Sequence, residues 1–137
     1  MSSPSPLAAE GWGEDGERMT NFGPTLETER LLGQAGPWKP DGWPGNEIGW
    51  TFHPDAWGKG YAREAAAAAI DWAFANLGWD DVIHCIDPAN AASQALAQRL
   101  GSRNLGPVTL PAPFEDAPSD ARGQTRAEWQ ANRSRRA

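Results

Sequence analysis

A single cysteine, Cys85, stands in 137 residues; it excludes an internal disulfide and fits a reducing compartment. No apolar run approaches the roughly 18 residues needed to cross a bilayer, so no membrane partner is expected. Met1 to Pro6 has neither a basic start nor an apolar core and is no signal peptide. Basic residues are few: 12 Lys and Arg against 18 Asp and Glu leave a net charge of −6, which argues against nucleic acid as a partner. Those that cluster, Arg133, Arg135 and Arg136, fall in a basic tail, 131–137, read as solvated. Asn132-Arg133-Ser134 fits a glycosylation acceptor but means little without a secretion signal. Histidine is scarce too. His53 and His84 are far apart and lack supporting ligands, so no metal site is expected. What remains is a cytoplasmic chain of one domain.

The order of elements is legible in the middle of the chain. Residues 1–24, rich in Gly, Pro, Ser and acids, read as a flexible leader, and 25–130 as the domain. Thr25 to Leu32 alternates weakly and suits a first strand. Gly33 to Gly45, with Pro37, Pro40, Pro44, Trp38 and Trp43, reads as an aromatic loop or a bent hairpin edge. Glu47 to His53 alternates with period two: Ile48, Trp50 and Phe52 on one face, Glu47, Gly49, Thr51 and His53 on the other. A helix over Tyr61 to Leu77 carries Ala66, Ile70, Phe74 and Leu77 on its apolar face and stops at Gly78. Val82 to Ile86, apolar on both faces, reads as a buried strand, with Cys85 an inert core thiol and His84 in or beside the core. Asn90 is a natural N-cap for a helix from Ala91 to Leu100, ended by Gly101. Asn104 to Ala121 reads as loop with a strand at Val108 to Leu110, and a short element covers Thr125 to Gln130. Strand, helix, strand, helix, with a long first crossover, defines an α/β chain with parallel strands in its sheet.

Between the first of those strands and its helix lies Trp57-Gly58-Lys59-Gly60-Tyr61-Ala62. A glycine loop opening a helix after a strand brings bare backbone N–H groups to the positive end of a helix dipole, a setting for phosphate or pyrophosphate. The competing reading is an ordinary strand-to-helix turn. Glycines at 58 and 60 admit close main-chain approach. Lys59 either attracts the phosphates or is merely solvated. No G-x-x-x-x-G-K-[ST] run is present, which weakens a nucleotide-binding reading.

These residues resemble the GCN5-related N-acetyltransferase (GNAT) superfamily, and within it the branch that includes ribosomal-protein and antibiotic N-acetyltransferases. Trp57 to Ala65 is similar to that family's Q/R-x-x-G-x-G/A pyrophosphate loop, with Trp57 at the Gln/Arg position. Asp87-Pro88-Ala89-Asn90-Ala91-Ala92-Ser93 leading to Leu100-Gly101 resembles its N-x-x-S helix start and terminal glycine. Thr28-Glu29-Arg30-Leu31 is similar to the opening strand of many members. The resemblance runs from about Gly33 to Gly101. It departs in two places. Family members carry two helices and two strands where Leu32 here meets Gly33, and the family's frequent general-acid Tyr is replaced by Ala97.

The resemblance implies a GNAT-like mixed sheet, shortened near 32–33, that binds acetyl-CoA and moves its acetyl group to a primary amine of a protein N-terminus, a lysine or a small molecule. Gly58, Lys59, Gly60, Tyr61 and Ala62 are then expected to grip the pyrophosphate, with Trp57, Thr51 and Phe52 also expected to bind the cofactor. A backbone N–H near Thr51 to Phe52 would serve the oxyanion, Glu47 would take the amine proton, and Ser93 would protonate the thiolate or place the cofactor. Asn90 caps its helix and is a candidate contact to the pantetheine; Trp38 and Trp43 are candidates to line an acceptor cleft. Glu47 can equally be an exposed strand carboxylate, and Ser93 a capping residue. The alternative function is a non-catalytic coenzyme A-binding relic or scaffold. Without the two family helices one sheet face should lose cover, which favours self-association, a homodimer included.

Overall fold

A computed structural model describes residues 32–136; the leader, the Thr25 strand and the Thr28–Leu31 motif lie outside them. Five strands form one mixed sheet in the order β1-β2-β3-β5-β4. β1 (Gly33–Trp38) and β2 (Glu47–Phe52) make an antiparallel hairpin from Gly33↔Phe52 to Trp38↔Glu47. Of the two readings for Gly33 to Gly45, the hairpin edge holds. The amide of His53 donates to the Leu32 carbonyl at 2.7 Å. In an antiparallel ladder that bond makes Gln34/Thr51, Gly36/Gly49 and Trp38/Glu47 the facing pairs. Pro37 then turns its main chain outward, so its missing N–H costs no rung.

Helix α1 (Tyr61–Asn76) crosses from β2 to β3 (Asp81–Ile86), and β2 and β3 are parallel. The buried face of α1 is Ala62, Ala66, Ala69, Ile70, Ala73 and Phe74. Its alanines let the helix lie close to Ala35, Ile48 and Val82 of the sheet. Leu77, expected on that face, is the C-cap and is exposed. Gly78 follows at φ +68°, the left-handed stop its position suggested. Asn90 caps α2 (Ala91–Arg99) by accepting the Ser93 amide at 3.1 Å.

The C-terminal third departs from expectation. The strand expected at Val108 to Leu110 is instead β4 (Arg103–Pro107), and an unanticipated β5 (Asp120–Thr125) enters between β3 and β4. Polar β5 has no apolar alternation because it is held by rungs on both sides. Its Gln124 is satisfied by the Leu100 carbonyl and Ser102, and its Arg122 by Gln94. Residues 131–136, expected as tail, continue α3 (Arg126–Arg136). Trp129 buries in the core and donates to Asp71 Oδ1 at 2.7 Å, and Arg133 stacks on Trp129 and pairs with Asp71.

Residues of the three helices described join Ala35, Ile48 and Val82 in one core, so these helices cover one face of the sheet. By alternation the other face carries Glu47, Ile83 and Cys85, with Trp43 hydrogen-bonded to Glu47 there. Leu105 (48% exposed) and Phe114 (45%) stay largely in solvent. Among the described residues, no helix is long and apolar enough to cross a membrane, and no cluster of His, Cys, Asp or Glu could hold a metal.

Candidate active site

Two parallel strands that part company define the site. β2 and β3 share one bridge, Glu47↔Ile83, after which Ile48 to Phe52 diverge from β3. The ladder parity points the main chains of Ile48, Trp50 and Phe52 at the opening and that of Thr51 at β1. Of the two positions named for the oxyanion donor, Phe52 therefore faces the opening and Thr51 does not.

Past β2, a short 3-10 turn (Pro54–Ala56) leads to the glycine loop. His53 caps that turn through its ring nitrogen, which accepts the Asp55 amide. The loop is a tight turn rather than continued strand. Gly58 (φ +81°) and Gly60 (φ +85°) both adopt the left-handed region, and a Cβ at either would meet no atom of the described residues within 4 Å. Gly60 is the N-cap of α1 and supplies no capping side chain. The first intrahelical bond is Glu64 N–H to the Gly60 carbonyl, 3.0 Å, which leaves the amides of Ala62 and Arg63 ahead of the helical ladder. Lys59 is exposed beside them. Trp57 contributes differently from expectation. Its amide closes the 3-10 turn on the Pro54 carbonyl, and its indole packs edge-on against Phe52 at 5.6 Å. Trp57 shapes the loop, and its amide is not free for a ligand.

The N-terminus of α2 reaches the same end of the sheet. Ser93, buried, accepts the Trp50 indole N–H at 3.1 Å, which bridges β2 to α2. Its hydroxyl proton is left to donate elsewhere. Ser93 forms no reciprocal cap on Asn90, whose amide goes to the Asp87 carbonyl. Ala97 is wholly buried, so no side chain there faces a ligand.

Glu47 is not an exposed strand carboxylate. It is 6% exposed, with Oε1 accepting the Trp43 indole N–H at 2.7 Å and Oε2 the Cys85 amide at 2.9 Å. Burial raises its pKa from the ordinary 4.5 to about 7, against the lowering effect of the Cys85 and Trp43 hydrogen bonds. Trp43 sits edge-on to Trp38 (6.0 Å) and to Phe114 (6.3 Å), an aromatic wall beside Glu47. Burial and the nearby Glu47 push the half-buried Cys85 thiol up, which keeps it unreactive. His84 is 1% exposed; its Nδ1 donates to the Ile48 carbonyl at 2.8 Å and its ring lies 4.6 Å from Trp50. Burial lowers its pKa to about 4, so the ring is neutral. Sequence reading placed His84 in or beside the core but missed this bond; its signal was a polar side chain inside a buried strand.

The N-termini of α1 and α2 thus lie together at the carboxyl end of a parting parallel strand pair, on an α/β scaffold. The chain belongs to the GNAT acetyltransferases: the family model of the acetyltransferase (GNAT) domain matches residues 6–103. It is similar to the uncharacterized protein YkkB of Bacillus subtilis, 38% identical over 76 residues that cover 54% of this chain and 44% of YkkB. An acetyltransferase from Agrobacterium tumefaciens superposes with a TM-score of 0.60 at 31% identity, over 73% of this chain and 56% of that one. RimJ of Mycobacterium smegmatis, solved with CoA-disulfide, shares the fold at a TM-score of 0.60 and 20% identity, over 72% of this chain and 49% of RimJ. The chain thus spans about half the length of these relatives.

Proposed function

We propose that this chain transfers the acetyl group of acetyl-CoA to a primary amine, on a protein or a small molecule, in the cytoplasm. One observation carries the reading: the N-terminus of α1, whose N-cap Gly60 supplies no capping side chain, stands behind two left-handed glycines with space above them that no described residue fills. A diphosphate fits such a cradle, because it needs main-chain donors and close approach, and no side chain among the described residues fills the space. Lys59, exposed beside it, adds charge attraction. The pantetheine then enters the opening between β2 and β3, within reach of Asn90.

Acetyl-CoA brings a thioester that an amine can attack without a covalent enzyme intermediate. The residues around it have three tasks. The Phe52 amide, turned into the opening, donates to the oxygen that gains charge as the N–C bond forms. Glu47, with its pKa near 7, accepts the amine proton directly or through water while Trp43 and Cys85 hold its carboxylate in place. Ser93 gives its proton to the thiolate as the C–S bond breaks, its oxygen fixed by Trp50. The aromatic wall of Trp38, Trp43 and Phe114 suits the acceptor beside Glu47.

The test is release of free thiol from acetyl-CoA across a panel of amines, including peptide N-termini and lysine. Amine-dependent release is expected, rising with pH through about 7 as Glu47 ionises. Binding of acetyl-CoA with no release for any amine would replace this reading with a non-catalytic coenzyme A-binding protein. The buried Ala97, where the resembling family often has a Tyr, would then account for the loss.

A further inference from the structure

The parallel ladder between β2 and β3 does not simply run out. Its first rung is the Ile83 amide on the Asn46 carbonyl, 2.9 Å. The next rung from β3, two residues on, would be the Cys85 amide on the Ile48 carbonyl. Each of those two groups has instead found a side chain. The Cys85 N–H donates to Glu47 Oε2 at 2.9 Å, and the Ile48 carbonyl accepts His84 Nδ1–H at 2.8 Å. Glu47 reaches its target from the face opposite the described helices and His84 from the face they cover. A buried N–H and C=O left unpaired would strongly favour closing the ladder. With both satisfied, the strands can stay apart.

We infer that His84 and Glu47 are positioning residues that end the ladder by exchanging one main-chain rung for two side-chain bonds, and so hold the site open before any ligand arrives. The inference rests on the opening being the coenzyme A site. His84 is the more telling member. Its Nδ1 carries the proton given to Ile48, so Nε2 is a bare acceptor, and it is buried with no partner among the described residues. A residue kept only to fill space beside Trp50 would not carry that cost, since an apolar side chain would pack there without it. The imidazole is retained for the bond to Ile48.

Two variants separate this role from packing. His84→Val removes the donor and keeps a strand-forming side chain. His84→Asn keeps an N–H near the Nδ1 position. In the ligand-free protein, amide hydrogen exchange at Trp50 should slow about tenfold in His84→Val as the ladder closes, and coenzyme A affinity should fall about tenfold. His84→Asn should restore both. Unchanged exchange at Trp50 in a folded His84→Val, or equal losses in both variants, would overturn the inference. If His84→Val does not fold, the wild-type ring decides: its nitrogen NMR spectrum should show Nδ1 protonated and Nε2 bare, and the opposite tautomer would refute the bond. The exchange and tautomer readouts need no ligand. A wild type that shows both but fails to bind coenzyme A would leave the strand-parting role intact and sink the acetyl-transfer reading.

Discussion

Burial shifts the pKa values of Glu47 and His84 in opposite directions beside one strand opening. The folded pKa of Glu47, about 7, lies above its ordinary 4.5, so the folded chain binds the extra proton between those values and loses stability as pH rises through them. The folded pKa of His84, about 4, lies below its ordinary 6.5, so the unfolded chain binds the extra proton and stability falls as pH drops from 6.5 toward 4. Each effect is worth at most about 3 kcal/mol, and in the shared window they oppose. Wild-type stability should therefore vary little between pH 4.5 and 6.5 from these two groups. Urea denaturation of His84→Asn should then show stability falling from pH 4.5 to 7, and Glu47→Gln the reverse trend from pH 4 to 6.5. Parallel slopes in the two variants would contradict these burial-driven shifts.

At the scale of elements, α3 shows what a polar segment can hide. Its buried anchor is Trp129, and Trp129→Ala should cost about 3 kcal/mol in chemical denaturation, as for a large core aromatic. Loss below about 0.5 kcal/mol would mean the helix does not pack as described. Thr125 and Glu128 start this helix with a reciprocal capping box, the Thr hydroxyl accepting the Glu128 amide at 3.1 Å and the Glu carboxylate accepting the Thr125 amide at 2.9 Å. That Thr-x-x-Glu signal opens the short element expected over Thr125 to Gln130, whereas the three arginines beyond it read as tail although the helix continues through them. Elements whose own side chains carry the pattern were legible: β2 from Ile48, Trp50 and Phe52, α1 from its alanines and Gly78, α2 from Asn90. β5 was not, because Ala121, Gly123 and Gln124 gain their strand from β3 and β4. The site divides the same way. The glycine turn at Gly58 and Gly60 and the Asn90 cap are legible from the residues themselves, and Ser93 was singled out through the family resemblance. The commitment of the Trp57 amide, the turning of Thr51 toward β1 and the burial of Glu47 depend instead on register and on distant partners.

For the whole molecule, the helices described lie on one face of the sheet, while Leu105 and Phe114 stay exposed. Apolar surface of that kind favours self-association. Sedimentation over a range of concentrations should show a dimer or larger species, and a monomer at all concentrations would mean that the surface is covered within one chain. None of this bears on chemistry as directly as the glycine loop does. Calorimetric titration of coenzyme A into the wild type and Gly60→Glu tests that loop. Binding to the wild type and its loss in a folded Gly60→Glu are predicted, since a carboxylate there would meet the diphosphate and strain a backbone at φ +85°. Equal affinity in the two proteins would contradict the account.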